Sequence, residues 1–126
     1  MLNKRIWYSF IPSIVWLLII VVGSFMPSSN LPKVDVSDKW IHFVFYAVFT
    51  FLLFIPVDAN TKNAKTSVKG LGIVFLVSTL IGLTVELIQH YFIEGRCGEG
   101  LDMLANTLGV IVALVVAQSL KRKGVL

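Results

Sequence analysis

Apolar residues fall into four long runs, at positions 6–26, 40–57, 70–92 and 103–120, separated by short polar stretches. Each approaches or exceeds the roughly 20 helical residues needed to cross a hydrocarbon core about 30 Å thick. The first run holds no charged side chain, the second holds one histidine, His42, and the third holds Glu86, Gln89 and His90. In lipid only a helix satisfies its backbone groups within one segment, so each run reads as a helix. The breaks carry turn chemistry: Pro27-Ser28-Ser29-Asn30-Leu31-Pro32, then Asp58-Ala59-Asn60-Thr61-Lys62-Asn63, then Glu94-Gly95-Arg96-Cys97-Gly98-Glu99-Gly100. The pattern predicts an all-α integral membrane protein, a single domain over residues 1–126, with four transmembrane helices in an antiparallel bundle. Lys4-Arg5, the first apolar run and Val22-Gly23-Ser24 also imitate a secretory leader. That run is longer than the usual apolar region of about 7–15 residues, and Pro27 follows at once, so an anchor is the expectation.

Composition sharpens this picture. Of 126 residues, 56% are hydrophobic and 14% charged, against roughly 45–50% and about 25% in soluble domains. A core of this size cannot bury such a surplus, which must therefore face the lipid bilayer. One cysteine, Cys97, excludes an internal disulfide and any CxxC zinc or redox site. The net charge of +4 comes from dispersed basic residues with no aromatic-interleaved stripe, which argues against a nucleic-acid partner.

Those basic residues instead set an orientation. Lys4, Arg5, Lys62, Lys65, Lys69, Lys121, Arg122 and Lys123 flank one side of the spans, and only Lys33, Lys39 and Arg96 flank the other. Both termini are therefore expected inside. Trp7 and Tyr8 then lie at the inner interface and Trp40 and Tyr91 at the outer one, as an aromatic belt requires.

With that orientation, polar residues of three helices meet at the outer side. At a rise of about 1.5 Å per residue, Tyr46 lies roughly 9 Å below Trp40, Glu86 roughly 9 Å below Phe92 and Asn106 roughly 7 Å below Leu101. Lys39, His42 and Tyr46 share a face of the second helix, Glu86 and Gln89 a face of the third, and Asp102, Asn106 and Gly109 a face of the fourth. Ionisable groups inside a span are costly and turn toward the bundle interior. Arg96 is the expected partner of Glu86 or Asp102, because its planar fork can hold a carboxylate with two hydrogen bonds. Ala105, Gly109, Ala113 and Ala117 recur every fourth residue, a small-residue stripe that lets another helix approach closely. Glu86-x-x-x-His90 with His42 is too small a set to specify a metal, and neither a metal nor a cofactor is expected.

Lys39-x-x-His42-Phe43-x-x-Tyr46, followed by Glu86-x-x-Gln89, Arg96, Asp102, Asn106 and Gly109, resembles the VanZ-like family of small bacterial membrane proteins. The resemblance runs from about residue 38 to 112, with the first span matched by position, and the block from Glu86 to Gly109 is its specific part. His90 and Cys97 stand outside the family pattern. The resemblance implies a multi-span domain of the bacterial inner (cytoplasmic) membrane and a link to the cell envelope. Its namesake is associated with low-level resistance to the glycopeptide teicoplanin.

Three functional readings follow. The favoured one is an outward-facing site, built from Lys39, His42, Tyr46, Glu86, Gln89, Arg96, Asp102 and Asn106, for an envelope lipid, a wall precursor or a glycopeptide. A second is a membrane enzyme acting on a lipid or glycan, with Glu86 and His42 as acid and base and Asp102 orienting one of them. No serine or cysteine nucleophile accompanies that cluster, so no catalytic residue is assigned. The third is a polar clamp that fixes helix register, with function residing in a partner. Four packed helices leave little room for a transport pathway, although a homo-oligomer would change that. The orientation itself is testable, because Cys97 is a single built-in probe. A membrane-impermeant maleimide should label it in intact spheroplasts, whereas a cysteine introduced at Val125 in a Cys97→Ser background should react only after lysis. The reverse pattern would invert the topology.

Overall fold

The computed structural model describes residues 4–33, 37–59, 68–96 and 98–126. Lys62 and Lys65, two of the basic residues that set the expected orientation, and Cys97 lie outside them. The described residues are helical with no strand. Helix α1 (Lys4–Ser9) runs almost directly into α2 (Ile11–Phe25), followed by α3 (Asp38–Ala59), α4 (Val68–Phe92) and α5 (Gly100–Arg122). Four segments, Ile6–Phe25, Asp38–Ala59, Val68–Phe92 and Gly100–Arg122, are long and apolar enough to cross a membrane.

The break between α1 and α2 falls at Phe10, two residues before Pro12. Proline has no amide hydrogen and its ring crowds the carbonyl four residues earlier, so the first turn of a helix suits it best. Phe10 keeps helical backbone angles, and its carbonyl accepts from the Ile14 amide at 3.0 Å. The chain thus continues in one direction through the break. After α2 comes a single 3₁₀ turn, Ser28–Asn30, and α4 ends before Gly95, whose φ of +72° is the left-handed conformation glycine favours at helix ends. Helices α3 and α5 each begin two to three residues before their apolar runs, because hydrogen bonding continues after hydropathy has given out. That extension brings Asp38 into the first turn of α3 and Asp102 into the first turn of α5, where a carboxylate complements the helix dipole.

Membrane-spanning segments adjacent in sequence run antiparallel, yet the most intimate pair is α3 with α5, which run parallel. The small-residue stripe explains this. Gly109, Ala113 and Ala117 are buried and Ala105 is half-buried. A methyl group on Gly109 would overlap the carbonyl oxygen of Phe43 and lie 3.1 Å from the Ala47 amide nitrogen. Lipid removes the hydrophobic drive between helices, so this backbone-to-backbone contact works through van der Waals packing. Two apolar clusters continue the seam: Ile20, Tyr46, Phe49 and Val110 in one, and Phe54, Val74 and Ala117 in the other. Helix α2 is held to α3 by Trp16, whose indole N–H donates to the Phe45 carbonyl at 3.0 Å while its ring meets Phe45 edge-on. Where α3 and α5 end, Lys121 and Asp58 form an ion pair.

Large apolar side chains such as Leu18, Val22, Leu76, Leu80, Leu104 and Val115 are exposed along the outside of the bundle, as a lipid-facing surface requires. Gly109→Ala should destabilise the bundle by about 1–3 kcal/mol, since overpacking against a backbone carbonyl outweighs the small propensity gain of alanine. Gly72→Ala, where an added methyl meets nothing within 4 Å, should be neutral or slightly stabilising. Reversible unfolding in mixed micelles would rank the two, and equal stabilities would refute the close α3–α5 contact.

Candidate functional site

One end of the bundle gathers the first turns of α3 and α5 with the last turns of α2 and α4. Polar side chains inside these segments have no water to turn to, so they find one another. His42 is 7% exposed, Glu86 6%, Asp102 5% and Asn106 1%. Three of them form a link across three helices. The Asn106 amide nitrogen donates to Glu86 Oε1 at 3.3 Å, which turns its carbonyl oxygen toward His42 Nδ1 at 3.0 Å. His42 Nδ1 also lies 3.2 Å from the same Glu86 oxygen. Both atoms facing Nδ1 are acceptors, so Nδ1 carries the ring proton and donates. The other ring nitrogen, Nε2, is left facing two carboxylates, Asp38 Oδ2 at 3.9 Å and Asp102 Oδ2 at 4.0 Å.

The remaining predicted residues surround this link. Gln89 is buried and donates to the Ser24 carbonyl at 2.9 Å, which ties α4 to the end of α2. The Tyr46 ring packs over Gly82, where an added methyl would lie 3.2 Å from Cε1. Its hydroxyl is buried with no hydrogen-bond partner among the described residues. Lys39 pairs with Glu99 at 3.1 Å and lies 3.8 Å from Asp102 Oδ1. Glu86 Oε2 and Asp102 Oδ1 are buried and accept no hydrogen bond among the described residues.

One expectation needs correction. Arg96 was the expected partner of Glu86 or Asp102, but among the described residues it pairs with neither. Lys39, on the first turn of α3, takes the place beside Asp102. Arg96 sits half-buried in the loop after α4 and lines cavities on the α2–α3 side. His90, one turn beyond Glu86, lies exposed, edge-on to the Tyr91 ring and outside the buried link. The grouping actually assembled is Asp38, His42 and Asp102, whose ligand-type atoms lie within 4.8 Å of one another.

Asp38 and Glu99 escaped the sequence reading. Asp38 could have been found, since it stands four residues before His42 on the same helical face. Glu99 could not, because it precedes α5 in a loop without periodicity. Gly98 was likewise hidden: a methyl there would press within 2.9 Å of the Glu86 carbonyl, so the loop folds tightly back on α4.

Two cavities open at this end. One, of about 290 Å³, is mainly polar and is bounded by Lys39, Gln89, Glu99 and Asp102. The other, of about 500 Å³, is mainly apolar and lies between α2 and α3, against Gly23, Leu31, Ile41, Phe45 and Tyr46. Asp38, His42 and Arg96 line both. The arrangement offers an apolar chamber joined to a polar one, with hydrogen-bond donors and acceptors at the junction.

In comparisons with known proteins, a sequence family described as VanZ/LLP1 matches residues 4–121, nearly the whole chain. No curated protein and no solved structure matches.

The buried link has a measurable weight. Asn106→Leu removes the donor to Glu86 and an acceptor for His42 together, and should cost about 1–3 kcal/mol through the groups left unsatisfied. Lys39→Ala, which breaks a solvent-accessible pair, should leave the unfolding midpoint close to that of the parent. Thermal denaturation in detergent compares them, and an unperturbed Asn106→Leu midpoint would remove the link from the account of stability.

Proposed function

The chain belongs to the VanZ/LLP1 family and is a multi-pass membrane protein, and from that premise we propose that it binds an anionic amphiphile of the cell envelope at the polar end of its bundle. The membrane is the bacterial cytoplasmic membrane, and the polar end faces outward, as the excess of basic residues on the opposite side favours. The reading rests on one observation: two adjoining cavities of opposite character that share Asp38, His42 and Arg96. A pocket of roughly 300–1,000 Å³ with apolar walls and a few convergent polar groups suits a small amphiphilic ligand. The apolar chamber would take an acyl or prenyl chain between α2 and α3, and the polar one its headgroup.

Arg96 supplies the anion specificity. Among the described residues it enters no ion pair, so its planar donor fork is available for a phosphate or carboxylate. Asp38, Glu99 and Asp102 would accept hydrogen bonds from hydroxyls or amines of the same headgroup. A phosphate-bearing membrane lipid and a lipid-linked wall precursor share this chemistry. A glycopeptide, the ligand class that the family resemblance brings in, is the alternative occupant, and teicoplanin-type resistance would then act through the same site. The clamp reading accounts for His42, Asn106 and Glu86, but gives Arg96 and the apolar chamber no role.

Lipid mass spectrometry on the purified protein tests the proposal. The parent protein should retain an anionic lipid enriched over the bulk membrane. Arg96→Ala, which removes the headgroup donor, and Ile41→Trp, which fills the apolar chamber, should each reduce that enrichment at least about tenfold, the loss of one charge-assisted contact. Both positions lie outside the buried link, so folding should survive. A lipid profile equal to the bulk membrane in all three proteins would overturn the reading. Added teicoplanin retained by the parent protein and lost in Arg96→Ala, with no lipid enriched, would reassign the ligand.

A further inference from the structure

We infer that Asp38, His42 and Asp102 form a binding site for a divalent first-row transition cation, Zn²⁺ foremost, at the floor of the polar cavity. The orientation of the imidazole is the starting point. Asn106 Oδ1 accepts from Nδ1 at 3.0 Å and Glu86 Oε1 lies 3.2 Å from the same nitrogen, so in the neutral ring the lone pair sits on Nε2. That lone pair faces Asp38 Oδ2 and Asp102 Oδ2. Three electron-pair donors thus converge, and among the described residues only Lys39 approaches one of them, at 3.8 Å from Asp102 Oδ1. Such a cluster is balanced by a cation at its centre.

The same orientation is the usual support of a metal-bound histidine, whose second ring nitrogen donates to a carboxylate or carbonyl oxygen. Here Glu86 and Asn106 are those supports, which gives the buried link a second purpose. The ligand-type atoms of the three residues lie within 4.8 Å of one another. A small inward shift of two aspartate side chains brings them to the roughly 2.0–2.2 Å bonds of a zinc-type ion.

A separate observation points to an unmet need at this place. Asp102 lines the polar cavity and its side chain is only 6% exposed. Its Oδ1 is buried and accepts no hydrogen bond among the described residues. The nearest cation, Lys39, stands 3.8 Å from that oxygen and is hydrogen-bonded to Glu99 instead. With a side chain 42% exposed, Lys39 is free to swing outward. Among the described residues the polar cavity is lined by three carboxylates, Asp38, Glu99 and Asp102, against the two cations Lys39 and Arg96, so its balance favours a further positive charge. Nitrogen and oxygen donors without sulfur suit zinc and its neighbours in the first row. Three protein ligands leave a fourth position open toward the cavity, the arrangement of a metal that also meets a small ligand.

The ion site shares its cavity with the proposed amphiphile but stands on its own geometry, and its test reads the metal alone. Untagged protein stripped with chelator should bind one Zn²⁺ per chain by titration calorimetry, and Co²⁺ should give visible d–d bands of a low-coordinate nitrogen–oxygen site. Asp38→Asn, at a solvent-exposed position, should weaken Zn²⁺ at least about tenfold without loss of fold, and Asp102→Asn should abolish the bands. His90→Ala, which removes the exposed histidine, should leave binding unchanged. Ile41→Trp should keep full Zn²⁺ affinity while losing lipid, so failure of one proposal is separable from failure of the other. Absence of saturable binding in the parent, binding indifferent to Asp38→Asn, or binding lost in His90→Ala would each overturn the inference.

Discussion

Where hydrocarbon surrounds a bundle, a polar side chain has only other side chains and the backbone to satisfy it. His42, Asn106 and Glu86 meet this condition by bonding one another across α3, α5 and α4. Each is more than nine-tenths buried. The amide of Asn106 is the hinge of the arrangement, since it donates to the carboxylate with one end and accepts from the imidazole with the other. That single orientation decides the tautomer of His42, and the tautomer decides what Nε2 can do. The geometry of the polar end follows from it.

The link can close only because α3 and α5 lie so near each other. Gly109 stands three residues after Asn106, against the Phe43 backbone, and Phe43 follows His42. A single helix pair therefore carries both the closest backbone contact and the shortest hydrogen bond of the link. Small-residue packing and polar satisfaction reinforce each other here, although each such interaction is individually modest in a membrane. Helix α2 sits further off, tied by the indole of Trp16 and by Gln89 reaching the Ser24 carbonyl. The space between α2 and α3 becomes the apolar cavity, so the looseness of one helix and the tightness of another jointly shape the site.

Several of these features can be read along the chain. The order of spans, the stripe from Ala105 to Ala117 and the inward faces of His42, Glu86 and Asn106 follow from periodicity and from the intolerance of lipid for charge. Lys39, Gln89, Asp102 and Tyr46 were legible in the same way, because helical spacing places them on those faces. Glu99 and the surroundings of Arg96 were not, since loop residues obey no period. Arg96 was assigned to a carboxylate on chemistry alone, and Lys39, carried there by the first turn of α3, lay closer. His90 stands apart from the site. It shares a helical face with Glu86 by count, but at the last turn of α4 that face has already opened to the exterior.

The amino-acid order thus determined the number of membrane-spanning segments, the faces they bury and the segments at which polar groups collect, because each depends on local periodicity and on the cost of placing charge in hydrocarbon. Only the tertiary structure decided that the parallel pair α3 and α5 is the most intimate, that Asp38 joins His42 and Asp102, and that Arg96 faces the cavities and not a carboxylate. Those outcomes depend on distances between segments far apart in the chain. Such distances are set by packing at Gly109 and by the direction of a single amide, which no pattern along one helix encodes.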